Sequence, residues 1–462
     1  MILLWNKIYR QDVESSLETI VNINDLNSKS ILITGASGLI GSSLVDQLLL
    51  LNKTRNFDIK IFCCGRNFES LEKRFGSQTA YLHFVFYDAT EVPHFDFEVD
   101  YIIHAASPAS PELYVTQPVE TMASNFLGMY NLLTYAKNAK VSNLVYISSS
   151  EVYGISASSK PLAENDIGTV DHLSVRSSYA SSKRATETLC ASFASEYGIK
   201  IMIVRPGHIY GPSAKDFDNR VSSFFMTEAI AGRDIVMKST GEQIRSYCYS
   251  LDCSSAILSV LLAGSSGQVY NISNSNSIIS IKQMATCIAS ASGVQVLYDL
   301  PTAQEQKQEN PMLNASLNSE KLESLGWTGR FTAEEGFQHT YNILKDSILI
   351  MMATYNGEGF LREQLDSILC QTISTWKLLI RDDNSSDQTR AIIKEYEEKD
   401  SRIQLIENTS KYHGAYYNFF GLLNDVIQSE NTFNFYMFAD QDDIWDVDKL
   451  ERLIDFYYEK VK

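Results

Sequence analysis

The chain has 462 residues, 44% of them hydrophobic, and a formal net charge of −17 at pH 7. A chain of this length and composition folds into about two or three globular domains, which excludes an extended disordered protein. The acidic balance argues against nucleic acid as the main partner, because no surplus of Lys and Arg is present to replace phosphate counterions.

Residues 1–29 precede the first predicted strand and form an N-terminal extension. Its short apolar run is soon followed by charges, which is typical of neither a signal peptide nor a membrane span. The seven cysteines of the chain are scattered and lack the paired spacing of a zinc site. We therefore expect a reducing, cytoplasmic location and no integral membrane segment.

Six apolar runs rich in β-branched residues alternate with longer helical patterns between residues 30 and 210. This rhythm predicts βαβ units and a doubly wound parallel Rossmann sheet with helices on both faces. In residues 211–345 strands become sparse and helical segments dominate, which indicates a smaller substrate lobe at the C-terminal side of the same domain. The predicted runs lie near Ile31, Ile59, Phe84, Ile102, Val145 and Ile201.

The first strand is followed by TGASGLIG, which places three glycines between a predicted strand and a predicted helix. Gly35 can make the tight turn, Gly38 lets the backbone approach a pyrophosphate, and Gly41 allows close packing of helix and strand. The N-terminus of the helix favours the anion. The pattern predicts a dinucleotide site whose turn consists of Gly35, Ser37, Gly38, Leu39, Ile40 and Gly41.

The second and third predicted strands end at Arg66 and Asp88. An acidic residue normally ends the second strand of NAD-binding proteins and holds the ribose, whereas Arg66 suits a 2′-phosphate better or is simply a solvated cation. Asp88 is a candidate adenine contact or an ordinary strand cap. We expect NAD as the cofactor and leave NADP open.

The fifth predicted strand leads into SSSEVYG at the carboxyl edge of the sheet, where α/β proteins bind ligands. Here Ser149 could hydrogen-bond a reacting sugar oxygen, and Glu151 could handle a carbon-bound proton. The following helical stretch places Tyr179 and Lys183 four residues apart on one face. Positive charge from Lys183 and an oxidised nicotinamide would allow Tyr179 to act as a base near neutrality.

These motifs occur in one order: TGASGLIG, HAASPASP, SSSEVYG, YASSK, RPGHIYGP and IRSYCYSLD. Through these motifs, residues 30–345 resemble the extended short-chain dehydrogenase/reductase family of NAD-dependent nucleotide-sugar epimerases, dehydratases and decarboxylases. The resemblance implies that Tyr179 is the base, Lys183 its partner and Ser149 the third member of a triad. It also implies a nucleotide-sugar substrate and a homodimer formed through helices.

The same resemblance implies further contacts around the site. In the family, the residue at the position of Arg245 grips the substrate diphosphate, and Arg220 is a second candidate anion contact. The alternative for either arginine is a surface ion pair. The loop after the fourth strand contributes cofactor contacts from Ala105 and Ala106 and a substrate contact from Ser107.

Two residues after the triad serine distinguish members of the family. In 4,6-dehydratases an Asp-Glu pair follows that position, and its aspartate protonates the departing hydroxyl; here Ser150 and Glu151 follow, which disfavours dehydration. The Ser-Ser-Glu run and the His104–Pro111 loop resemble UDP-glucuronate decarboxylase. That resemblance implies oxidation at sugar C4, loss of carbon dioxide and re-reduction to a UDP-pentose. A dTDP-glucose 4,6-dehydratase and a nucleotide-sugar 4-epimerase remain the alternatives.

A second strand-first pattern begins at Asp346. Through MMATYNGEGF, RDDNSSDQT and FADQDDIW, residues 346–462 resemble the start of a family 2 glycosyltransferase with the GT-A fold. The resemblance implies that a hard cation, Mg²⁺ or Mn²⁺, neutralises the sugar-nucleotide diphosphate. The implied residues are Thr354, Asp382 and Asp383 for the nucleotide and Asp440 and Asp442 for the metal.

One predicted helix follows the acidic motif, which is too little for an acceptor site and a general base. We therefore expect a truncated transferase half that is inactive by itself and has an uncovered sheet edge. An active transferase supplied by the first domain is one alternative, and a silent scaffold protein is another. The complete set of Ser149, Tyr179 and Lys183 argues against the scaffold.

Overall fold

The described residues fall into two compact units. The first unit comprises residues 7–229 and 233–341, and the second comprises residues 342–462 with the short segments 1–6 and 230–232. Three predicted positions lie outside the described residues, namely Ala109 and Ser110 of the HAASPASP loop and the domain junction at Asp346. The computed structural model describes residues 3–108, 111–156, 158–214, 218, 220–299, 313–345, 348–373, 375–400, 402–408, 410, 412–428, 433 and 435–460.

The first unit is built around a seven-stranded sheet in the order β10-β6-β5-β4-β1-β2-β3, with every neighbouring pair parallel. This confirms the predicted Rossmann-type fold. Strand β10 and the short strands of the substrate lobe were not predicted. The strands are β1 (Ser30–Thr34), β2 (Lys60–Gly65), β3 (Leu82–Phe86), β4 (Tyr101–His104), β5 (Asn143–Ile147), β6 (Ile201–Pro206), β7 (His208–Tyr210), β8 (Ile235–Met237), β9 (Ile244–Tyr249), β10 (Val269–Ile272), β11 (Ile278–Ser280), β12 (Val296–Tyr298) and β13 (Asn314–Ala315).

Helices cover both faces of this sheet. On one face, Met129 and Leu133 of α5 and Phe193 of α6 pack against strand residues such as Leu144 in one buried cluster. The other face carries α2 and α8, which are joined by a hydrogen bond between two buried serines. The helices are α1 (Lys7–Leu17), α2 (Leu39–Arg55), α3 (Phe68–Phe75), α4 (Pro111–Thr116), α5 (Pro118–Asn138), α6 (Ser178–Tyr197), α7 (Val221–Ile230), α8 (Ser250–Ala263), α9 (Ile281–Ser292), α10 (Glu320–Glu323) and α11 (Ala333–Lys345).

Helix α1 of the N-terminal extension packs into the first unit. The Tyr9 hydroxyl donates to the Asp46 carboxylate at 2.8 Å, and Asp46 also pairs with Arg74 of α3. Asp12 accepts a hydrogen bond from the Tyr249 hydroxyl at 3.0 Å. The extension therefore contributes buried polar contacts to α2 and β9.

The second unit has a four-stranded parallel sheet in the order β16-β15-β14-β17. One face is covered by α12, α13 and α15, and the other carries Leu422 and Val426 of α14. This is the partial GT-A-type α/β arrangement that the sequence predicts. The elements are β14 (Ile348–Thr354), α12 (Leu361–Leu369), β15 (Trp376–Asp382), α13 (Thr389–Lys399), β16 (Ile403–Ile406), α14 (Ala415–Gln428), β17 (Phe435–Asp440) and α15 (Lys449–Lys460).

Two further features concern the hydropathy of the helices and the state of the cysteines. Within the described ranges, none of the helices has the length and apolarity that crossing a bilayer requires. The cysteines are all unpaired thiols, most of them buried.

Candidate functional site

The glycine-rich turn joins β1 to α2. Gly35 has φ +67°, and a Cβ there would lie 2.8 Å from the Ala105 carbonyl oxygen, so only glycine fits. A Cβ on Gly41 would collide with the Gly35 carbonyl oxygen. Gly38 is the N-cap of α2 and brings no capping side chain, which leaves the first-turn N–H groups to an anion. The turn therefore fits the pyrophosphate of a dinucleotide.

The loop after β4 lies against this turn. The backbone N–H of Ala105 donates to the Thr34 carbonyl at 3.2 Å, and that of Ala106 donates to the Thr34 hydroxyl at 3.1 Å. Ser107 donates to the side chain of Asn125 on α5 at 2.7 Å. The structure thus brings these predicted contacts to the same carboxyl edge of the sheet as the glycine turn.

Arg66 and Asp88 lie at the ends of β2 and β3. Asp88 accepts hydrogen bonds from the hydroxyl and N–H of Thr90 at 2.7 and 2.8 Å. These bonds, and more weakly the charge of Arg66, lower the pKa of Asp88. The two side chains are therefore close enough to interact, and Arg66 is exposed to solvent.

Tyr179 and Lys183 lie in the first turns of α6, and both side chains are buried. The Lys183 Nζ donates to the Ile147 carbonyl at 2.8 Å and lies 5.7 Å from the centroid of the Tyr179 ring. Burial lowers the pKa of Lys183 to about 7. Burial raises the pKa of Tyr179, and hydrogen bonding from Ser149 opposes that rise. The protein groups alone therefore do not make Tyr179 a base near neutrality.

The residues after β5 form a short 3₁₀ turn, Ser150–Tyr153. Ser149 caps this turn, and its Oγ accepts from the Glu151 N–H at 3.2 Å. The charge of the Glu151 carboxylate, an exposed side chain, adds to the rise in the pKa of Tyr179, so Glu151 lies within electrostatic range of the phenol. The structure thus brings Ser149 within hydrogen-bonding reach of Tyr179, with Glu151 farther along the same turn, and Ser150 lies half-buried there.

The sequence analysis did not identify two residues of this site, Tyr114 and Arg176. The Tyr114 ring, which is buried, stacks on that of Tyr179 with centroids 4.3 Å apart and an interplanar angle of 11°. The guanidinium of Arg176 lies 3.5 Å from the Glu151 carboxylate. Arg176 precedes Tyr179 by one helical turn, a spacing that could have identified it. Tyr114 comes from a distant helix, so no local pattern points to it.

The two predicted anion contacts differ in their surroundings. Arg245 on β9 is buried, and its Nη1 donates to the Ile244 carbonyl at 2.8 Å. Arg220 pairs with the Asp218 carboxylate and donates to the Ile209 carbonyl at 2.9 Å. The charge of Arg220 is therefore already compensated by a neighbouring carboxylate.

In the second unit, the predicted nucleotide contacts hydrogen-bond to protein groups. The Thr354 hydroxyl donates to Asp382 at 3.0 Å, and the Ser385 N–H donates to the same carboxylate at 2.9 Å. Asp383 accepts from the Gly414 N–H at 2.6 Å. The structure brings Thr354, Asp382 and Asp383 together, and the Asp382 carboxylate is fully buried in the loop that it organises.

The acidic motif lies at the same sheet edge. Asp440 ends β17, paired with Ala353 of β14, and both Asp440 and Asp442 are exposed. The side chain of Gln441 accepts from the Tyr355 N–H at 2.9 Å, which fixes the motif to the end of β14. In the described part of the chain, no group of three or more His, Cys, Asp or Glu side chains is arranged to hold a metal. Two exposed carboxylates still fit a hard cation that takes its other ligands from a diphosphate and water.

Comparison with protein families gives a match for each unit. The model of the NAD dependent epimerase/dehydratase family matches residues 31–273, and that of Glycosyl transferase family 2 matches residues 349–461. UDP-glucuronic acid decarboxylase 6 of Arabidopsis thaliana is 33% identical over 307 residues, which are 66% of this chain and 86% of the relative. UDP-glucuronic acid decarboxylase 1 of Xenopus tropicalis is 30% identical over 328 residues, which are 71% of this chain and 74% of the relative.

Solved structures show the same fold for the first unit. UDP-glucose 4-epimerase of Thermotoga maritima with UDP-glucose has a TM-score of 0.57 at 22% identity, covering 68% of this chain and 98% of its own. dTDP-glucose 4,6-dehydratase of Bacillus anthracis with NAD has a TM-score of 0.56 at 21% identity, covering 68% and 96%. The predicted resemblance to both the dehydrogenase/reductase and the glycosyltransferase families is confirmed.

Proposed function

The chain belongs to the NAD dependent epimerase/dehydratase family, and from that premise we propose that its first unit is an NAD-dependent UDP-glucuronate decarboxylase. The observation that carries the proposal is the position of Glu151, whose charge acts on Tyr179 and whose carboxylate lies 3.5 Å from the Arg176 guanidinium. A carboxylate with a guanidinium beside the base suits chemistry at the carbon next to a sugar carboxylate. The names of the curated relatives support the same substrate.

The proposed cofactor is NAD, held by the turn from Gly35 to Gly41 and by the loop of Ala105 and Ala106. When bound, NAD would accept a hydride from C4 of the sugar and return it to the same carbon. The fit of the glycine turn to a pyrophosphate supports a dinucleotide. The exposed Arg66 leaves room for a 2′-phosphate, so NADP is the competing cofactor in the test.

Each site residue has a proposed role in moving protons. Tyr179 takes the proton of the C4 hydroxyl, with Ser149 hydrogen-bonded to the same oxygen and Lys183 adding positive charge. The resulting 4-keto acid loses its carboxyl group as carbon dioxide, and the bonding electron pair passes into an enolate. Glu151 delivers a proton to C5 to restore the ketone. Tyr114 holds the ring of Tyr179 by stacking.

The substrate contacts follow from charge. Arg245 is proposed to bind the diphosphate, and the carboxylate of the sugar would compete with Glu151 for Arg176. Ser107 and Ser150 line the sugar side of the site. Arg220 would contribute less, because Asp218 already neutralises it. The absence of a general acid at Ser150 is the reason to rank dehydration below decarboxylation.

Product analysis tests the proposal. The purified chain is incubated separately with UDP-glucuronate, UDP-glucose and dTDP-glucose, each with NAD or NADP, and the products are identified by mass spectrometry. We expect carbon dioxide and a UDP-pentose from UDP-glucuronate with NAD. A dehydrated or epimerised hexose as the main product, with no pentose, would contradict the assignment.

For the second unit we propose the donor-binding half of a family 2 glycosyltransferase, with Asp440 and Asp442 as ligands of Mg²⁺ or Mn²⁺ and the loop of Thr354, Asp382 and Asp383 beside the nucleotide. The position of the exposed Asp440 and Asp442 at the sheet edge of that loop favours this candidate. UDP binding that requires Mn²⁺ would support it. Equal UDP binding with and without chelator would contradict it.

A homodimer through α5 is also proposed. This helix exposes an apolar stripe at positions i, i+3, i+7, i+8 and i+11, which lie on one side of a helix. Sedimentation at several concentrations tests it, and a monomer throughout would contradict it. The stripe consists of Val119, Met122, Phe126, Leu127 and Tyr130.

The unpaired thiols support a cytoplasmic location. We also propose that the functional boundaries of the chain are 1–29, 30–345 and 346–462.

A further inference from the structure

A largely buried ion pair joins α6 to β6 one helical turn beyond Lys183. Glu187 follows Lys183 by one turn of α6, and both its carboxylate oxygens accept from Arg205 of β6. The Nε–Oε1 distance is 2.9 Å and the Nη2–Oε2 distance is 2.6 Å. Only 11% of the Glu187 side chain and 12% of the Arg205 side chain are exposed. The pair is therefore bidentate and shielded from solvent.

This pair also holds the end of β5. The Ser148 hydroxyl donates to Glu187 Oε1 at 2.6 Å, and Ser148 is the neighbour of the triad residue Ser149. Lys183 reaches the same strand through the Ile147 carbonyl. One carboxylate thus connects the helix that carries Tyr179 and Lys183 with the strand end that carries Ser149.

We propose that Glu187 is a positioning residue, which fixes the end of β5 against α6 and supplies the negative charge that the Lys183 ammonium faces. The proposal deepens the proposed function, because it concerns how the Tyr179 base is assisted. It does not require Glu187 to touch substrate or cofactor.

The other titratable groups that face Lys183 are neutral near pH 7. Burial raises the pKa of Tyr146 and of Cys190 and lowers that of His104 to about 3. Tyr179 is likewise protonated until it acts, because burial raises its pKa. The groups that face Lys183 are Tyr179, Glu187 and Cys190 on α6, Tyr146 on β5 and His104 on β4.

These charges determine in which direction the pKa of Lys183 moves when Glu187 or Arg205 is replaced. Burial lowers the pKa of Lys183 to about 7, and Glu187 opposes the decrease. Without the negative charge, Lys183 would lose its proton at a lower pH and would no longer assist Tyr179 at neutrality. Without Arg205, the uncompensated Glu187 would instead hold the Lys183 proton to a higher pH.

Two substitutions are expected to shift the pKa of Lys183 in opposite directions, which a general loss of structure would not do. Glu187→Gln keeps the shape and an acceptor for Ser148 but removes the charge, whereas Arg205→Gln removes the opposing charge. Glu187→Asp keeps the charge on a shorter side chain and is expected to restore most of the titration behaviour. Glu196→Gln, an exposed position on the same helix, is the matched control. Circular dichroism checks that each variant is folded.

The titration of Lys183 is followed by NMR on isotope-labelled lysine, assigned with Lys183→Arg. We expect the midpoint to move down by about 1 pH unit in Glu187→Gln, up in Arg205→Gln, and not at all in Glu196→Gln. An unchanged midpoint in Glu187→Gln, or shifts of the same sign in both charge variants, would overturn the proposal. Because the NMR titration requires no turnover, its result does not depend on whether UDP-glucuronate is the substrate.

Discussion

The two units place charge in opposite ways. The first buries its chemistry: Lys183 is 2% exposed and Tyr179 is 6% exposed, and their pKa values move because of that burial. The second leaves Asp440 and Asp442 in solvent and uses its buried Asp382 to build a loop. Under the proposed functions, burial keeps Tyr179 protonated until a bound cofactor adds positive charge, whereas the exposed carboxylates of the second unit would need a cation and a diphosphate to complete their site.

The largest effect expected is on the buried base. Tyr179→Phe should reduce carbon dioxide release from UDP-glucuronate by about 10²–10⁴-fold, because a positioned proton acceptor is lost. UDP binding by the second unit should not change. Tyr197→Phe, at the exposed end of the same helix, is the control. Full activity of Tyr179→Phe would show that the site is wrongly assigned.

The next effect concerns the two arginines of the first unit. Arg245→Ala should raise KM by about 10-fold or more, since hydrogen bonds to charged groups contribute about 1.5–3 kcal/mol. Arg220→Ala should have a smaller effect because Asp218 already pairs with it. Steady-state kinetics with UDP-glucuronate measure both. The reverse order of effects would mean that Arg220 is the main diphosphate contact.

The exposed site of the second unit can be removed selectively. The double substitution Asp440→Asn and Asp442→Asn should abolish Mn²⁺-dependent UDP binding, because both proposed carboxylate ligands are lost. Decarboxylation by the first unit should continue unchanged. Calorimetry with and without Mn²⁺ measures binding, and Asp446→Asn, an exposed aspartate close in sequence, is the control. Persistence of metal-dependent binding in the double variant would refute the metal assignment.

The smallest effect is structural and confined to the first unit. Tyr9→Phe removes the hydroxyl that donates to the buried Asp46 at 2.8 Å. The free energy of unfolding should fall by about 1–3 kcal/mol, because a buried acceptor loses a partner. Urea denaturation followed by the loss of decarboxylase activity measures it. No change in the midpoint would show that the hydrogen bond between Tyr9 and Asp46 does not stabilise the first unit.

The sheets were largely predictable from the sequence. A strand buried on both faces of a parallel sheet is a continuous apolar run, and such runs predicted β1 to β6, β14 and β15. The strands β8, β11 and β12 have three residues each, which is too short for a period to appear. Their existence depends on pairing with distant segments.

The site was predictable only where its residues are close in sequence. The spacing of Tyr179 and Lys183 on one helix, and the position of Ser149 after a strand, are local features. The stacking of Tyr114 and the pairing of Glu187 with Arg205 arise from tertiary packing, so no local pattern shows them. Asp382 was identified from a local motif, but the motif does not reveal that its carboxylate is fully buried.

Isotope labelling tests the central claim, that the first unit carries out a redox-neutral decarboxylation through oxidation and re-reduction at C4. UDP-glucuronate carrying deuterium at C4 is converted in ordinary water, and unlabelled substrate is converted in deuterated water. The account predicts a UDP-pentose that keeps the C4 label in the first case and gains one solvent deuteron at C5 in the second. Loss of the C4 label, or a pentose without solvent deuterium at C5, would contradict it.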